Sequence, residues 1–346
     1  MTKYTIERII LAFVTTCIIL TITFFLLKIL PFQQPAATTE EGVIAYYTTQ
    51  VKLGYVLDFS TIQETLGTYL YKYTDTAKET HYFYIRPVGD QYIAWIEGIF
   101  TEWNWGVSST IKPNYSAMGI IFGKLPYTIK VNIWSVIISV PTGIILGIWA
   151  ALKKNKLTDH IISTLVMVFI SIPSFITITF LLLIFGYNGK LLPTQWPSDS
   201  ASLSTRVLGY IIPVMSLSFG SICGYCRFTR AELTEVMSSD YLLLARTKGL
   251  TKTQTVIRHA LRNAMVPILP SILSEFIGIL GGSMILESLY GIPGIGALYI
   301  TALSSKDYNV LLVDMAFFTV ISLVAGVFLD LSYGFIDPRI RMGGKK

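Results

Sequence analysis

Charged side chains are scarce in this chain: Asp, Glu, Lys and Arg make up 14% of its 346 residues, against roughly 25% in a soluble globular domain. That shortage excludes a surface that faces water on every side. Cysteine is scarce as well, limited to Cys17, Cys223 and Cys226, all inside apolar runs. Cys223-Gly-Tyr-Cys226 has the C-x-x-C spacing of a metal or redox site, but no second pair accompanies it. A face of small residues between membrane helices is the plainer reading. The histidines His81, His160 and His259 lie far apart, and neither H-E-x-x-H nor G-x-S-x-G occurs, so no catalytic residue and no metal ligand is assigned. A G-x-x-x-x-G-K-[ST] phosphate loop is also missing. The nearest fragment, Gly186-Tyr-Asn-Gly189-Lys190, lacks the spacing and the hydroxyl. The chain is therefore expected to bind no cofactor of its own, and any ATP and Mg used in its work belong to another chain.

What the sequence has in abundance is apolar residues, 52% of the total, with a mean hydropathy of +0.58. They fall into runs long enough to cross a bilayer, which takes about 20 residues per helix. Six spans are expected, at Ile9–Leu30, Leu125–Leu152, Ile161–Phe185, Val207–Cys226, Ala264–Leu286 and Val310–Leu329. The first follows a start, MTKYTIER, like that of a signal peptide. It is too long for a signal core and KILPFQQP supplies no small-residue cleavage site, so it is read as a retained span. The net charge of +6 does not point to nucleic acid, because the basic residues cluster beside the apolar runs. With the N-terminus in the cytoplasm, 16 of the 27 Lys and Arg fall on short cytoplasmic segments, which satisfies the positive-inside bias. The expected arrangement is multi-pass in a membrane, with both termini on the cytoplasmic side.

Four regions follow from this reading. Residues 1–30 hold the N-terminal end and the first span. Residues 31–121 form an extracytoplasmic insertion, too long for a plain connection, with strand-like runs such as YKYT and HYFYIR; it acts as a docking platform or lid, or is a decoration of this lineage. Residues 122–337 are the membrane core and 338–346 a cytoplasmic tail.

Within the core, DYLLLARTKGLTKTQTVIRHALRNAMVP (240–267) interrupts the apolar sequence with a basic hairpin, 238–263. Ser238, Ser239 and Asp240 suit a helix N-terminus, and Arg246 and Lys248 suit the negative end of its dipole. Gly249 stands where a helix ends with positive φ. Thr251-Lys-Thr-Gln254 reads as a capping box that opens a second helix. That helix carries Arg258 and Arg262 on one face and Val256, Ile257, Ala260, Leu261 and Ala264 on the others, and is expected to run unbroken into the fifth span as a rigid lever. A surface helix against anionic lipid is the competing reading, but it leaves the sharp limits of the first short helix unexplained.

The hairpin is similar to the cytoplasmic EAA-loop signature of ABC importer permeases, in the version of the oligopeptide and dipeptide systems, with Gly249 on the signature glycine and Ala245 on its alanine. ILESLYGIPGIGALYITALSSKDYNV (285–310), LDLSYGFIDPRIR (329–341) and KLPYTIKVNIW (124–134) resemble further family segments, in order, across residues 94–342. Leu243-Leu244 replaces Glu-Ala, and His259-Ala-Leu-Arg262 replaces an Ile-x-Leu-Pro ending; both narrow the resemblance to the peptide branch. The resemblance implies an all-α membrane protein of the type I ABC importer permease (MetI-like) fold. Its implied partners are a second, homologous permease subunit forming a heterodimer, two cytoplasmic ABC ATPase subunits and an external binding protein that delivers the peptide; nucleic acid is not among them. Asp240, Tyr241, Leu244, Ala245, Arg246, Lys248, Gly249 and Leu250 become the coupling-helix residues gripped by the ATPase.

Ionisable groups inside spans are functional candidates: Glu275 and Asp314, with Lys130, and Glu287 and Asp330 near span ends. The run Gly291-Ile-Pro293-Gly294 forbids a continued helix and is read as a re-entrant element or outer gate. Glu275, Glu287, Pro293, Gly294 and Asp314 are thus the gate and pathway candidates, with pairing at helix interfaces as the plainer alternative. Pro141, Pro173 and Pro213 are expected to bend their spans. Import of nickel or another small solute by the same architecture remains open, as do an ion-coupled carrier or channel and a membrane anchor. The absence of a recognisable repeat argues against the carrier.

Overall fold

The computed structural model describes residues 2–32, 34–35, 38–62 and 68–336. The expected tail, with Arg339, Arg341, Lys345 and Lys346, lies outside the described residues. The elements in chain order are α1 (Thr2–Ile29), α2 (Glu40–Lys52), β1 (Val56–Phe59), β2 (Tyr69–Thr74), β3 (Thr80–Ile85), α3 (Val88–Glu102), α4 (Ala117–Leu152), α5 (Leu157–Ile170) and α6 (Ser174–Leu181). There follow α7 (Leu203–Met237), α8 (Asp240–Thr247), α9 (Lys252–Thr255), α10 (Leu261–Ala264), α11 (Ile268–Gly278), α12 (Met284–Tyr290), α13 (Ile295–Ser304) and α14 (Tyr308–Ile336). The described residues divide into two compact units, one drawn from 10–125 and 298–320, the other from 2–9, 126–297 and 321–336.

The first unit contains the strand-like runs. YLYKYT and THYFYI are β2 and β3, and the sheet order is β1-β3-β2, antiparallel throughout. The chain is therefore mostly, not wholly, helical. Tyrosines hold the sheet to α2: Tyr47 stacks on Tyr71 at 5.4 Å and on Phe83 at 5.3 Å, the offset geometry aromatic rings prefer. A second apolar centre joins Phe24 of α1, Tyr55, Trp95 and Ile99 of α3, and Leu312 of α14.

The second unit is a helical bundle. Helices α4 and α7 approach closely because Gly143 and Gly147, spaced G-x-x-x-G, lie against Tyr225, Cys226 and Thr229. A methyl group at Gly143 would stand 2.6 Å from the Tyr225 Cβ, and one at Gly147 2.7 Å from the Cys226 carbonyl oxygen. Cys223 and Cys226 are free, buried thiols on this small-residue face, as membrane packing favours.

Among the described residues, four helices are long and apolar enough to cross a membrane, Thr5–Ile29, Ala117–Leu152, Leu203–Met237 and Tyr308–Ser332. They match the expected first, second, fourth and sixth spans. The expected third and fifth spans are broken. Helices α5 and α6 meet at 99°, and the segment Thr253–Ala264 meets Ile268–Gly281 at 57°. Pro173 explains the first break and Pro267 the second, since proline lacks an N–H and its ring clashes with the preceding turn. Pro141 and Pro213 sit inside uninterrupted helices, so of the three expected kinks only that at Pro173 becomes a break. The fifth span also stops short of Leu286: a 3-10 turn over Ile279–Gly281 gives way at Gly282, where φ is +61°. A third bent pair, α12 with α13 at 85°, occupies the stretch read as a re-entrant element.

Candidate functional site

The hairpin forms as its punctuation dictates. Helix α8 ends at Thr247 with Lys248 as its C-cap, and Gly249 takes φ +90°. Its N–H donates to the Arg246 carbonyl at 2.9 Å, and the Leu250 N–H donates to that of Ala245 at 3.4 Å. This paired closure is the Schellman motif, which uses two otherwise orphaned carbonyls. Thr251 and Gln254 make the capping box reciprocally: the Gln254 N–H donates to Thr251 Oγ1 at 3.3 Å and the Thr251 N–H to Gln254 Oε1 at 3.1 Å. The N-terminal reading needs correction. Ser239 is the N-cap residue but its side chain caps nothing in α8; the Ser238 and Ser239 hydroxyls donate back to the Glu235 and Val236 carbonyls, closing α7.

Helix α8 has one side against the bundle. Leu242 is 3% exposed and packs with Ala151 of α4, Leu233 of α7, and Ala260 and Ala264. Tyr241 accepts a hydrogen bond from Asn263 Nδ2 at 2.8 Å. Asp240, Tyr241, Leu244, Arg246, Lys248 and Gly249 are exposed, and Ala245 and Leu250 are half-buried. Leu243 and Leu244 are 64% and 59% exposed, two large apolar side chains displayed on a polar hairpin.

The expected rigid lever is not there. Helix α9 passes through a π-helical turn, Val256–Ala260, into α10, and the chain then turns before α11. Val256, Ala260 and Ala264 face inward, but Ile257 is exposed. Helix α8 is therefore joined to the bundle sideways, through Leu242, and not by a continuous fifth span.

Sequence reasoning missed the group that fixes this end of the bundle. Asp159, 1% exposed, takes Arg230 Nε at 2.5 Å and Nη2 at 2.8 Å, and also accepts the Asn155 N–H at 2.9 Å. Arg230 lies one turn before Leu233 on α7, so the pair and the Leu242 contact share a helix. Its only sequence signal was a lone acidic residue after Lys153, Lys154 and Lys156.

The gate candidates fall in different surroundings. Glu287, Pro293 and Gly294 come together. Glu287 is buried and accepts from Thr128 Oγ1 at 2.9 Å and from the Ala297 N–H at 3.0 Å, while the Ile295 N–H donates to Thr128 Oγ1 at 3.0 Å. The carboxylate thus closes the bend between α12 and α13. Gly294 lies so close to Glu287 and Thr128 that a side chain there has no room. Gly294→Ala is expected to cost about 1–3 kcal/mol by overpacking, read as a lower melting temperature of the solubilised protein; an unchanged melt would refute the packing argument. Glu275, half-buried on α11, accepts from Ser139 Oγ at 3.4 Å, and with Tyr225, Arg227 and Ser271 it lines a cavity of about 500 Å³ between α7 and α11. Asp330 pairs with Arg8 at 3.2 Å. Asp314 belongs to the other unit, where it is fully buried.

That unit also contains Asp307, which the sequence marked only as part of the family-like run 285–310 and not as a site residue. It is fully buried and accepts from Ser108 Oγ at 2.5 Å and from the N–H groups of Ser109 at 3.2 Å, Thr110 at 3.0 Å and Ile111 at 3.1 Å.

Comparison with known proteins gives a consistent result. Residues 143–342 match the family described as binding-protein-dependent transport system inner membrane component. The chain is 32% identical over 346 residues to the dipeptide transport system permease protein DppB of Lactococcus lactis subsp. cremoris, covering 99% of this chain and 100% of that one. It is 29% identical to DppB of Bacillus subtilis, covering 100% of both. It is also 30% identical to the oligopeptide transport system permease protein OppB of Haemophilus influenzae, over 76% of this chain and 84% of that protein. Matched by the family over more than half its length and aligned to relatives almost end to end, the chain belongs to the inner membrane components of binding-protein-dependent transport systems.

Proposed function

We propose that this chain is the permease subunit through which an ATP-driven importer passes oligopeptides or dipeptides from an external binding protein to the cytoplasm. The observation that carries the reading is α8: a short helix closed by Gly249, with Leu243 and Leu244 displayed outward and Leu242 anchored inward. Two exposed leucines beside Arg246 and Lys248 suit a groove on a soluble protein better than water, and a membrane component without a phosphate loop needs such a contact to be driven. The ATPases, in closing on ATP, favour one packing of the bundle, and the bias enters at α8. The peptide substrate is carried over from the names of the relatives.

In this reading six spans cross the membrane: α1, α4, α5 with α6, α7, α9 through α11, and α14. The α12–α13 pair is re-entrant from outside, next to Glu287. Both termini are cytoplasmic and the 31–121 region is external, as the lysine and arginine distribution favours. A second, non-identical permease completes the pathway. The test is uptake in cells lacking this chain and then complemented with it, using labelled peptides of two to six residues alongside nickel. Restored peptide uptake with no change in nickel is the expected result. Restored nickel uptake without peptide uptake would overturn the substrate.

A further inference from the structure

Lys28 stands in an unusual place for a lysine at the end of an apolar helix. Such side chains normally extend along the apolar surface and leave their charge in water. Here Nζ turns inward and lies 3.7 Å from the centre of the Tyr55 ring and 5.3 Å from that of Phe24, and both rings are almost wholly buried. Among the described residues, no carboxylate or carbonyl pairs with the ammonium. It borders a cavity of about 160 Å³ whose walls include Tyr46, Gln50, Gln91 and Asn309 and contain no acidic residue. Among the described residues, Lys28 is the only charged side chain in this wall, where phenols and amides stand beside apolar side chains such as Leu30, Ile85 and Val88. Ring contact alone is a weak return for a desolvated ammonium, and buried charges are normally paired. Lys28 is half-buried, and an anion entering this cavity would pair with its ammonium.

The size and the walls narrow the choice. At about 30 Å³ per water molecule, the cavity has room for roughly five waters, which is an amino-acid-sized ligand and too small for a whole peptide. Gln91 supplies a second requirement. Its Nε2 donates to the Arg86 carbonyl at 2.7 Å, leaving Oε1 buried without a donor among the described residues. A ligand that brings an N–H beside its carboxylate meets both needs, given a modest turn of the Gln91 amide.

We infer that this pocket, formed by the outer end of α1 and the 31–121 region, receives an amino-acid-sized carboxylate: the C-terminal residue of a peptide, or a free amino acid. The inference rests on the peptide reading only for the source of that carboxylate. Charge and hydrogen bonding choose the terminus without regard to side chain, as a permease that accepts many peptides requires.

The test is calorimetric titration of the full chain in lipid nanodiscs with Ala-Ala, Ala-Ala-amide, alanine and acetate, for the native protein, Lys28→Gln and Lys28→Arg. Ala-Ala is expected to bind, with affinity reduced at least tenfold in Lys28→Gln and largely kept in Lys28→Arg, while Ala-Ala-amide does not bind. A matching melting temperature separates lost binding from lost folding. Equal binding of the amide, or Lys28→Gln binding as the native chain does, overturns the inference, as does failure of all four ligands to bind. If alanine and acetate bind but Ala-Ala does not, the pocket stands and its ligand is the free acid. Peptide uptake that persists without carboxylate binding overturns this pocket and leaves the peptide reading intact; carboxylate binding in a chain that restores no peptide uptake does the reverse.

Discussion

Gly249→Asp is expected to reduce uptake by roughly 10- to 100-fold while the chain still inserts and accumulates in the membrane. No atom lies within 4 Å of where a Cβ at this position would sit, so the substitution meets no steric barrier. The cost lies in the backbone. Gly249 holds φ +90°, a region that an L side chain enters at a cost of about 1–2 kcal/mol. The new carboxylate also faces the negative end of the α8 dipole, worth about 0.3–1 kcal/mol more. Together these amount to roughly one to two factors of ten in the population of the correctly closed helix. The rest of the chain, which does not depend on this turn, is unaffected. Gly249→Asn relieves both contributions at once, because asparagine tolerates positive φ and carries no charge, and should retain most uptake; Gly249→Ala keeps the backbone cost without the charge. The measurements are uptake and co-purification of the ATPase subunits from the same membranes. Normal uptake in Gly249→Asp, or loss of the chain from the membrane, would refute the docking role of α8.

The location of that effect was legible in the sequence, but its route was not. A glycine after Arg246, Thr247 and Lys248, followed by Thr251 and Gln254, specifies a helix stop and start through local hydrogen bonds alone, and both formed as read. The same local reasoning failed three residues beyond Ala264. Apolar residues on both sides of Pro267 look like a continuing span, and only a proline inside the run announces the 57° bend. Proline is an ambiguous signal here: Pro141 and Pro213 are accommodated within unbroken helices, because neighbouring groups in a packed bundle can satisfy the freed carbonyls. Local sequence does not say which outcome occurs.

The polar clusters show the same limit from another side. Glu287 was marked as a candidate because a carboxylate in an apolar run is costly, and the cost is met by Thr128, which is 159 positions earlier. Asp159 drew no attention in the sequence and Arg230 counted only as one of the basic residues of the cytoplasmic edge; their pairing across 71 positions is a tertiary fact. What composition reveals is that a buried charge needs a partner. Which partner it finds depends on a fold that brings distant segments together.

Asp307→Ala is the substitution expected to destabilise the chain most, by about 3 kcal/mol or more, because several buried donors lose their acceptor together. The carboxylate is fully buried and organises a turn that is distant in sequence. The Ser108 and Ser109 hydroxyls and the N–H groups of Ser109, Thr110 and Ile111 all point at it, so its loss strips an acceptor from five donors at once. Each buried donor left without an acceptor costs about 1–3 kcal/mol, partly recovered where water enters. Asp307→Asn keeps an acceptor oxygen but gives up the charge. Because charge-assisted hydrogen bonds are roughly twice as strong as neutral ones, it should lose about half as much. Asp307 also directly precedes α14, and its backbone carbonyl accepts the Leu311 N–H at 2.9 Å, so loosening the turn exposes both the 106–116 loop and the first turn of that helix. Thermal unfolding of the solubilised chain, followed with limited proteolysis mapped to residues 106–116, measures both consequences. If Asp307→Ala melts with the native protein, or if cleavage appears first elsewhere, the carboxylate is not the centre of this knot. The ordering native, Asn, Ala in stability distinguishes a charge that organises donors from a side chain that merely fills space, since asparagine fills the same space.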